Sequence, residues 1–322
     1  MNPVRLRDGL RAWVHALSEL DPYSLACFRI GIGAVLLYDI GLAWSVLELW
    51  PGIQGYFDRL PLPGGLPNGL GMLKLIFGLY ALLALGVLLG YQTRCCTLVL
   101  WIAFSIHRYV SQTTDYHDDV LFHALFWAQF LDWGQRFSLD AWLGRATSYA
   151  DVVSRMASCG LVLNLAYLYV STAWEKNDPA WWPEGSAVYF ALGDVALSGP
   201  VGRWIVEHGS SVVFQGLSGL VLVLEFVGGL LIASPWARFR LAGLLALTLL
   251  QVGLWVCMRL ESFPATMLSV QVALLPAFVW TRWGFRASPL IGVPVGVSGG
   301  HCRGQCGGFT AQSPRCVVLS GC

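Results

Sequence analysis

The chain has 322 residues, of which 56% are hydrophobic and only 12% charged, with a formal net charge of +1 and a mean hydropathy of +0.61. A soluble domain carries roughly twice that charged share, so the solvent that decides this fold is lipid. The near-neutral balance, with arginines scattered singly, excludes the basic face that a nucleic-acid partner requires.

In hydrocarbon every backbone N–H and C=O must be satisfied within its own segment, so runs of about 20 apolar residues predict helices. Residues 1–20 hold Arg5, Arg7 and Arg11 but no continuous apolar core. They read as an amphipathic cytoplasmic lead-in rather than a cleavable signal. Eight apolar runs follow in a transmembrane domain over residues 21–282: Tyr23 to Val46, Leu70 to Tyr91, Cys96 to Val110, Val120 to Trp133, Ser158 to Trp174, Ser211 to Ala233, Leu241 to Met258 and Phe263 to Trp280. The fourth is short enough to be tilted or partly covered by protein. The predicted fold class is an all-α membrane protein, a polytopic bundle of about eight transmembrane helices with interfacial helices on the outer side.

Lys and Arg are retained on the cytoplasmic side. With the N-terminus inside, the inner segments hold Arg5, Arg7, Arg11, Arg94, Arg136, Arg145, Arg155, Arg238, Arg240, Arg282 and Arg286; the outer ones hold Arg59, Lys176, Arg203 and Arg259, with Arg108 at the outer boundary. An even number of spans then returns the C-terminus to the cytoplasm and places the segment from Glu175 to Gly209 outside. That segment contains two short amphipathic stretches, PAWWPEGSAVYFALGD and GPVGRWIVEHG, broken at Gly199-Pro200. Its Trp181, Trp182, Tyr189 and Trp204 suit headgroup depth, either as a lid over an outward-opening cavity or as a plain connector.

Polar groups inside apolar runs are costly and mark candidate sites. Arg29 and Asp39 share the first run, about 15 Å apart along a helix, so each needs a partner elsewhere; Glu225, Gln251 and Gln271 are available. The stretch HRYVSQTTDYHDDVLFH, residues 107–123, concentrates His107, His117, His123, Asp115, Asp118 and Asp119. Its residue types suit metal ligation, proton transfer or capping of the fourth helix, where carboxylates favour the dipole. Lys176, one of two lysines in the chain, ends the fifth run. It either snorkels to the interface or, partly buried, serves as a base.

Residues 283–322 change composition to Gly, Ser and Cys and read as a disordered tail. There His301, Cys302, Cys306, Cys316 and Cys322 are the weak candidates for a metal, without the C-x-x-C pairs that make a zinc signature. The other five cysteines read as small apolar fillers.

Four stretches occur in order: DPYSLACFRIGIGAVLLYD, DDVLFHALFWAQFLDWGQRFSLDAW, YLYVSTAWEKNDPAWWPEGSAVYFAL and RLESFPATMLSVQVALLP. Together, over about residues 20–282, they resemble the HTTM (horizontally transferred transmembrane) domain. Vitamin K-dependent gamma-carboxylases and bacterial membrane proteins of the sporulation-delaying protein B type share that domain. The resemblance implies a cell-membrane protein, possessing, if it is carboxylase-like, a reduced quinone as lipophilic quinol cofactor, with oxygen and carbon dioxide as co-substrates. Lys176 would be the base that deprotonates the quinol. His117, Asp118 and Asp119 would share the catalytic pocket, and Arg29, Trp181 and Trp182 would bind the cofactor, Arg29 as structural or anion-holding partner. An exported peptide is the implied substrate, and the alternative is a non-enzymatic membrane factor that assists maturation or export of a peptide toxin.

This sequence departs from the carboxylase pattern. It has Asp118-Asp119 in place of an Asn-His pair and Gln251 in place of a histidine, and the large extracytoplasmic substrate domain has no counterpart in it. Full glutamate carboxylation is therefore not expected. No internal repeat of the kind transporters show is visible.

Overall fold

The computed structural model describes residues 3–46, 70–111 and 116–285, all within one compact unit. The described residues are helical and contain no named strand. The elements are α1 (Pro3–Ser18), α2 (Pro22–Val46), α3 (Leu70–Leu89), α4 (Thr93–Ser111), α5 (Tyr116–Ala128), α6 (Leu139–Trp142), α7 (Asp151–Glu175), α8 (Ala187–Gly193), α9 (Pro200–His208), α10 (Ser211–Ile232), α11 (Ala237–Cys257), α12 (Phe263–Val272) and α13 (Ala277–Arg282).

Five helices are long and apolar enough to cross a membrane: α2, α3, α7, α10 and α11. The other three apolar runs differ from expectation for local reasons. The helix α4 carries Arg94, His107 and Arg108 among its 19 residues, which dilutes its hydropathy. The helix α5 has only 13 residues and stops at Ala128, before the apolar run ends. The last run is broken into α12 and α13 by Pro276, which cannot donate a backbone hydrogen bond and disfavours helical conformation in the residue before it. In the opposite sense, α7 begins at Asp151, earlier than the apolar run alone indicates.

The core runs through the bundle and centres on Phe28, Ile32, Leu121, Leu125, Leu161, Leu165, Leu247 and Leu274. The helix α2 packs on α3 and α12, while α10 lies between α7 and α11. The N-terminal helix α1 is strapped to the bundle: Trp13 Nε1 donates to the Ala233 carbonyl at 3.0 Å, and Arg240 Nη2 donates to the Ala16 carbonyl at 2.8 Å.

The two amphipathic stretches form α8 and α9, with the break at Gly199-Pro200 as expected. Pro at the first helical position starts α9, where its missing N–H costs nothing. These pieces are pinned down at both ends. Ser218 on α10 accepts from the Val188 N–H at 3.2 Å and donates to the Gly185 carbonyl at 2.9 Å. Gly199 N–H donates to the Cys257 carbonyl and Arg259 N–H to the Leu197 carbonyl. The segment from Lys176 to Gly209 thereby covers the ends of α10 and α11.

Candidate functional site

Lys176 is the C-cap residue of α7, and its ammonium forms a hydrogen-bonded ion pair with the carboxylate of Glu225 on α10. The side chains are 18% and 10% exposed, respectively. Trp181, from the turn that follows, lies with its ring centroid 5.0 Å from Nζ, a cation–π distance. Lys176 therefore does not stand alone in water. Beside it opens a groove of about 380 Å³, lined by Ala173, Trp174, Lys176, Asn177, Leu222 and Phe226. Apolar side chains make most of its wall, and Lys176 supplies the charge.

The approach of α8 to α10 is set by Gly185, whose φ is +69° and whose added Cβ would come within 2.7 Å of Gln215 Cα. Only glycine meets both conditions without strain. That contact holds the Lys176-to-Gly185 turn, and with it Trp181, over the ion pair. Trp182 by contrast points outward, 73% exposed.

The second polar cluster is built by α2 and α5. His117 Nε2 lies 4.0 Å from Asp39 Oδ2 and 3.4 Å from Asp118 Oδ1. The turn between α11 and α12 brings Glu261 and Ser262 beside Asp39. Asp118 and Asp119 occupy the first turn of α5, where negative charge favours the helix dipole. Arg108 of α4 pairs with the Asp119 carboxylate and donates to the Asp118 carbonyl at 3.2 Å. His123 Nδ1 lies 2.8 Å from the Asp119 carbonyl. Thus His117 and Asp118 come together, Asp119 turns to Arg108, and the charged partner of Lys176 is Glu225.

Arg29 belongs to neither cluster. Its guanidinium, fully buried, donates to five backbone carbonyls: Nε to Trp133 at 3.2 Å, Nη1 to Val87 at 2.8 Å and Leu88 at 2.6 Å, and Nη2 to Arg136 at 3.4 Å and Phe137 at 2.5 Å. A guanidinium has five N–H donors, and each has an acceptor. It satisfies the carbonyls at the end of α3 and in the irregular loop after α5. Next to it Gly90, at φ +69°, leaves only 2.7 Å between an added Cβ and Arg29 Nη1. Asp140 caps the start of α4, accepting from the Gln92 and Thr93 N–H groups at 2.9 Å each.

Two features escape a reading of the sequence. Glu225 is visible as a lone acid in an apolar run, but its pairing with a lysine 49 positions away is not. The second is a buried network in which Gln251 and Gln271 donate to the Tyr169 hydroxyl at 3.0 and 2.7 Å and Thr248 donates to Gln271 at 3.0 Å. The two glutamines therefore partner each other through Tyr169 rather than Arg29 or Asp39. Among the described residues no group of three or more His, Cys, Asp or Glu is placed to hold a metal ion. The candidates His301, Cys302, Cys306, Cys316 and Cys322 lie outside the described residues.

A family model of the HTTM domain matches residues 18–283. No curated protein and no solved structure matches the chain. The matched stretch includes both polar clusters, the Arg29 cage and every helix from α2 to α12, and the chain accordingly belongs to the HTTM domain family.

Proposed function

We propose that this HTTM-family membrane protein binds a lipophilic quinol in the groove beside Lys176, with Lys176 as the proton-accepting group and Trp181 against the bound ring. In this reading all eight apolar runs lie in the bilayer, residues 21–282 form the membrane domain, and 283–322 are a tail. The N- and C-termini face the cytoplasm of a cell membrane, and the groove opens in the outer leaflet. His117, Asp118 and Asp119 handle protons at the same end of the bundle, where α2 ends and α5 and α12 begin. Trp182 anchors the covering turn in the headgroup layer. Arg29 acts as a structural clamp.

One observation carries the reading: a largely buried ammonium, paired with a carboxylate and set against an aromatic ring, lines a mostly apolar groove. A snorkelling lysine would extend to water instead. An amphiphile with a polar ring and an isoprenoid tail fits such a wall, its ring at the charge and its tail along Leu222 and Phe226. The test is titration of the protein in lipid nanodiscs with a lipophilic quinol. Lys176→Met and Trp181→Ala should each weaken binding by about tenfold or more, the equivalent of one hydrogen bond or stacking contact. Unchanged affinity in both variants would remove the groove from consideration.

The separate partners of Lys176 and His117 favour a second reading, a non-enzymatic factor that assists an exported peptide. It predicts that peptide maturation survives Lys176→Met and fails when the covering segment is altered, for example by Gly185→Val.

A further inference from the structure

The ion pair itself poses a chemical problem for a base. An ammonium has three donors and no lone pair, so Lys176, paired as a cation with Glu225, can take up a proton only by handing one on. Glu225 can accept one, but Lys176 lines the groove while Glu225 lies behind it at 10% side-chain exposure. We propose that Glu225 is the proton acceptor of this site, receiving through Lys176 the proton of an acidic hydroxyl held in the groove.

This rests on the reading of the groove as a ligand site. The exchange balances as follows. The ligand O–H bond breaks, its electron pair stays on oxygen, and the proton forms a bond to Nζ. Nζ in turn releases to a Glu225 carboxylate oxygen the proton that it already shared with it. The products are a ligand oxyanion, the Lys176 ammonium and a neutral Glu225 carboxylic acid. No oxidant or further reactant is needed.

Charge conservation favours this course. Before the exchange the site contains one cation and one anion, and afterwards it again contains one of each. Ionising the ligand with Glu225 still charged would place two anions against one ammonium in a low-dielectric wall, where an uncompensated charge is costly. With the proton on Glu225, the ammonium is free to turn wholly to the new oxyanion, and the Trp181 face keeps its contact with the cation. Leu222 and Phe226, three positions before and one after Glu225 on α10, line the groove beside it.

The probe for the test is an alkyl-substituted nitrophenol, which absorbs in the visible range only as the phenolate. It is added to the protein in lipid nanodiscs at a pH where it is protonated in buffer. Calorimetry in buffers of different ionisation enthalpy counts the protons released. The wild type should bind the probe as phenolate with no net proton release, because Glu225 retains the proton. Glu225→Gln, which keeps shape and hydrogen bonding, should bind phenolate with release of about one proton per probe or leave it protonated. Release of a proton by the wild type, or binding without ionisation, overturns the role of Glu225 and leaves the groove standing. Absence of binding to the wild type overturns both. A cooperative melting transition for Glu225→Gln shows that the variant is folded, and Glu225→Asp, which keeps the carboxylate, should restore the wild-type proton count.

Discussion

Arg29 is the side chain whose surroundings most restrict substitution. Its five donors meet five carbonyls, so a lysine, with three donors on a point charge, would leave acceptors unmatched. Each buried acceptor left open costs about 1–3 kcal/mol. Arg29→Lys should therefore lower stability by roughly 2–4 kcal/mol, read as a fall in melting temperature in detergent. An unchanged melting point would mean that the cage is not needed to hold α2 to the loop after α5. The pair of Lys176 and Glu225 makes a different prediction, because its members compensate each other. Lys176→Met alone leaves a buried carboxylate without its cation and should cost about 3–5 kcal/mol, whereas Lys176→Met with Glu225→Met should recover most of the loss. Additive losses in the double variant would show that the two side chains act independently.

At the level of elements, the covering segment depends on a single close approach. Gly185→Ala would place a Cβ at 2.7 Å from the α10 backbone at a positive φ. It should cost about 1–2 kcal/mol, the sum of backbone strain and displacement. The loss should be local: amides such as that of Val188, bound to Ser218, should exchange with solvent faster while the core of α2 is unaffected. Uniform protection would show that α8 is held by other contacts. The helices themselves were legible to different degrees. Apolar length announced α2, α3, α7, α10 and α11, and the Gly199-Pro200 punctuation announced the division between α8 and α9. The early end of α5 was not legible: inside an apolar run the chain passes into turn bonds, Phe130 N–H to the Trp127 carbonyl and Leu131 N–H to the Ala128 carbonyl, and the loop beyond closes around Arg29, more than 100 positions away in sequence. The candidate site was half legible for the same reason. Lys176 and His117 stand out by type and position, but their partners Glu225 and Asp39 come from other helices, and periodicity within one segment contains no information on which helix lies opposite.

For the whole molecule, the arrangement of ends decides between topologies. The ends of α7 and α11 and the starts of α10 and α12 lie together under α8 and α9, through Gly185, Ser218, Cys257 and Arg259. The ends of α3 and α5 and the starts of α4 and α7 lie together around Arg29 and Asp140. If both ends of the bundle face water, these two sets lie on opposite sides of the bilayer, whatever the tilt of the short helices. In the proposed orientation, argued from arginine placement, the Arg29 end, with Arg94, Arg136, Arg145 and Arg155, faces the cytoplasm. Val195 in the covering segment and Trp142 in α6 are the reporters to use, being 82% and 81% exposed. In a background with the native cysteines replaced, a membrane-impermeant thiol reagent added to intact cells should modify Val195→Cys and leave Trp142→Cys unmodified until the cells are opened. The reverse pattern would invert the molecule and move the groove to the inner leaflet. Modification of both from outside would show that α7, which joins the two regions through 25 residues, does not cross the bilayer.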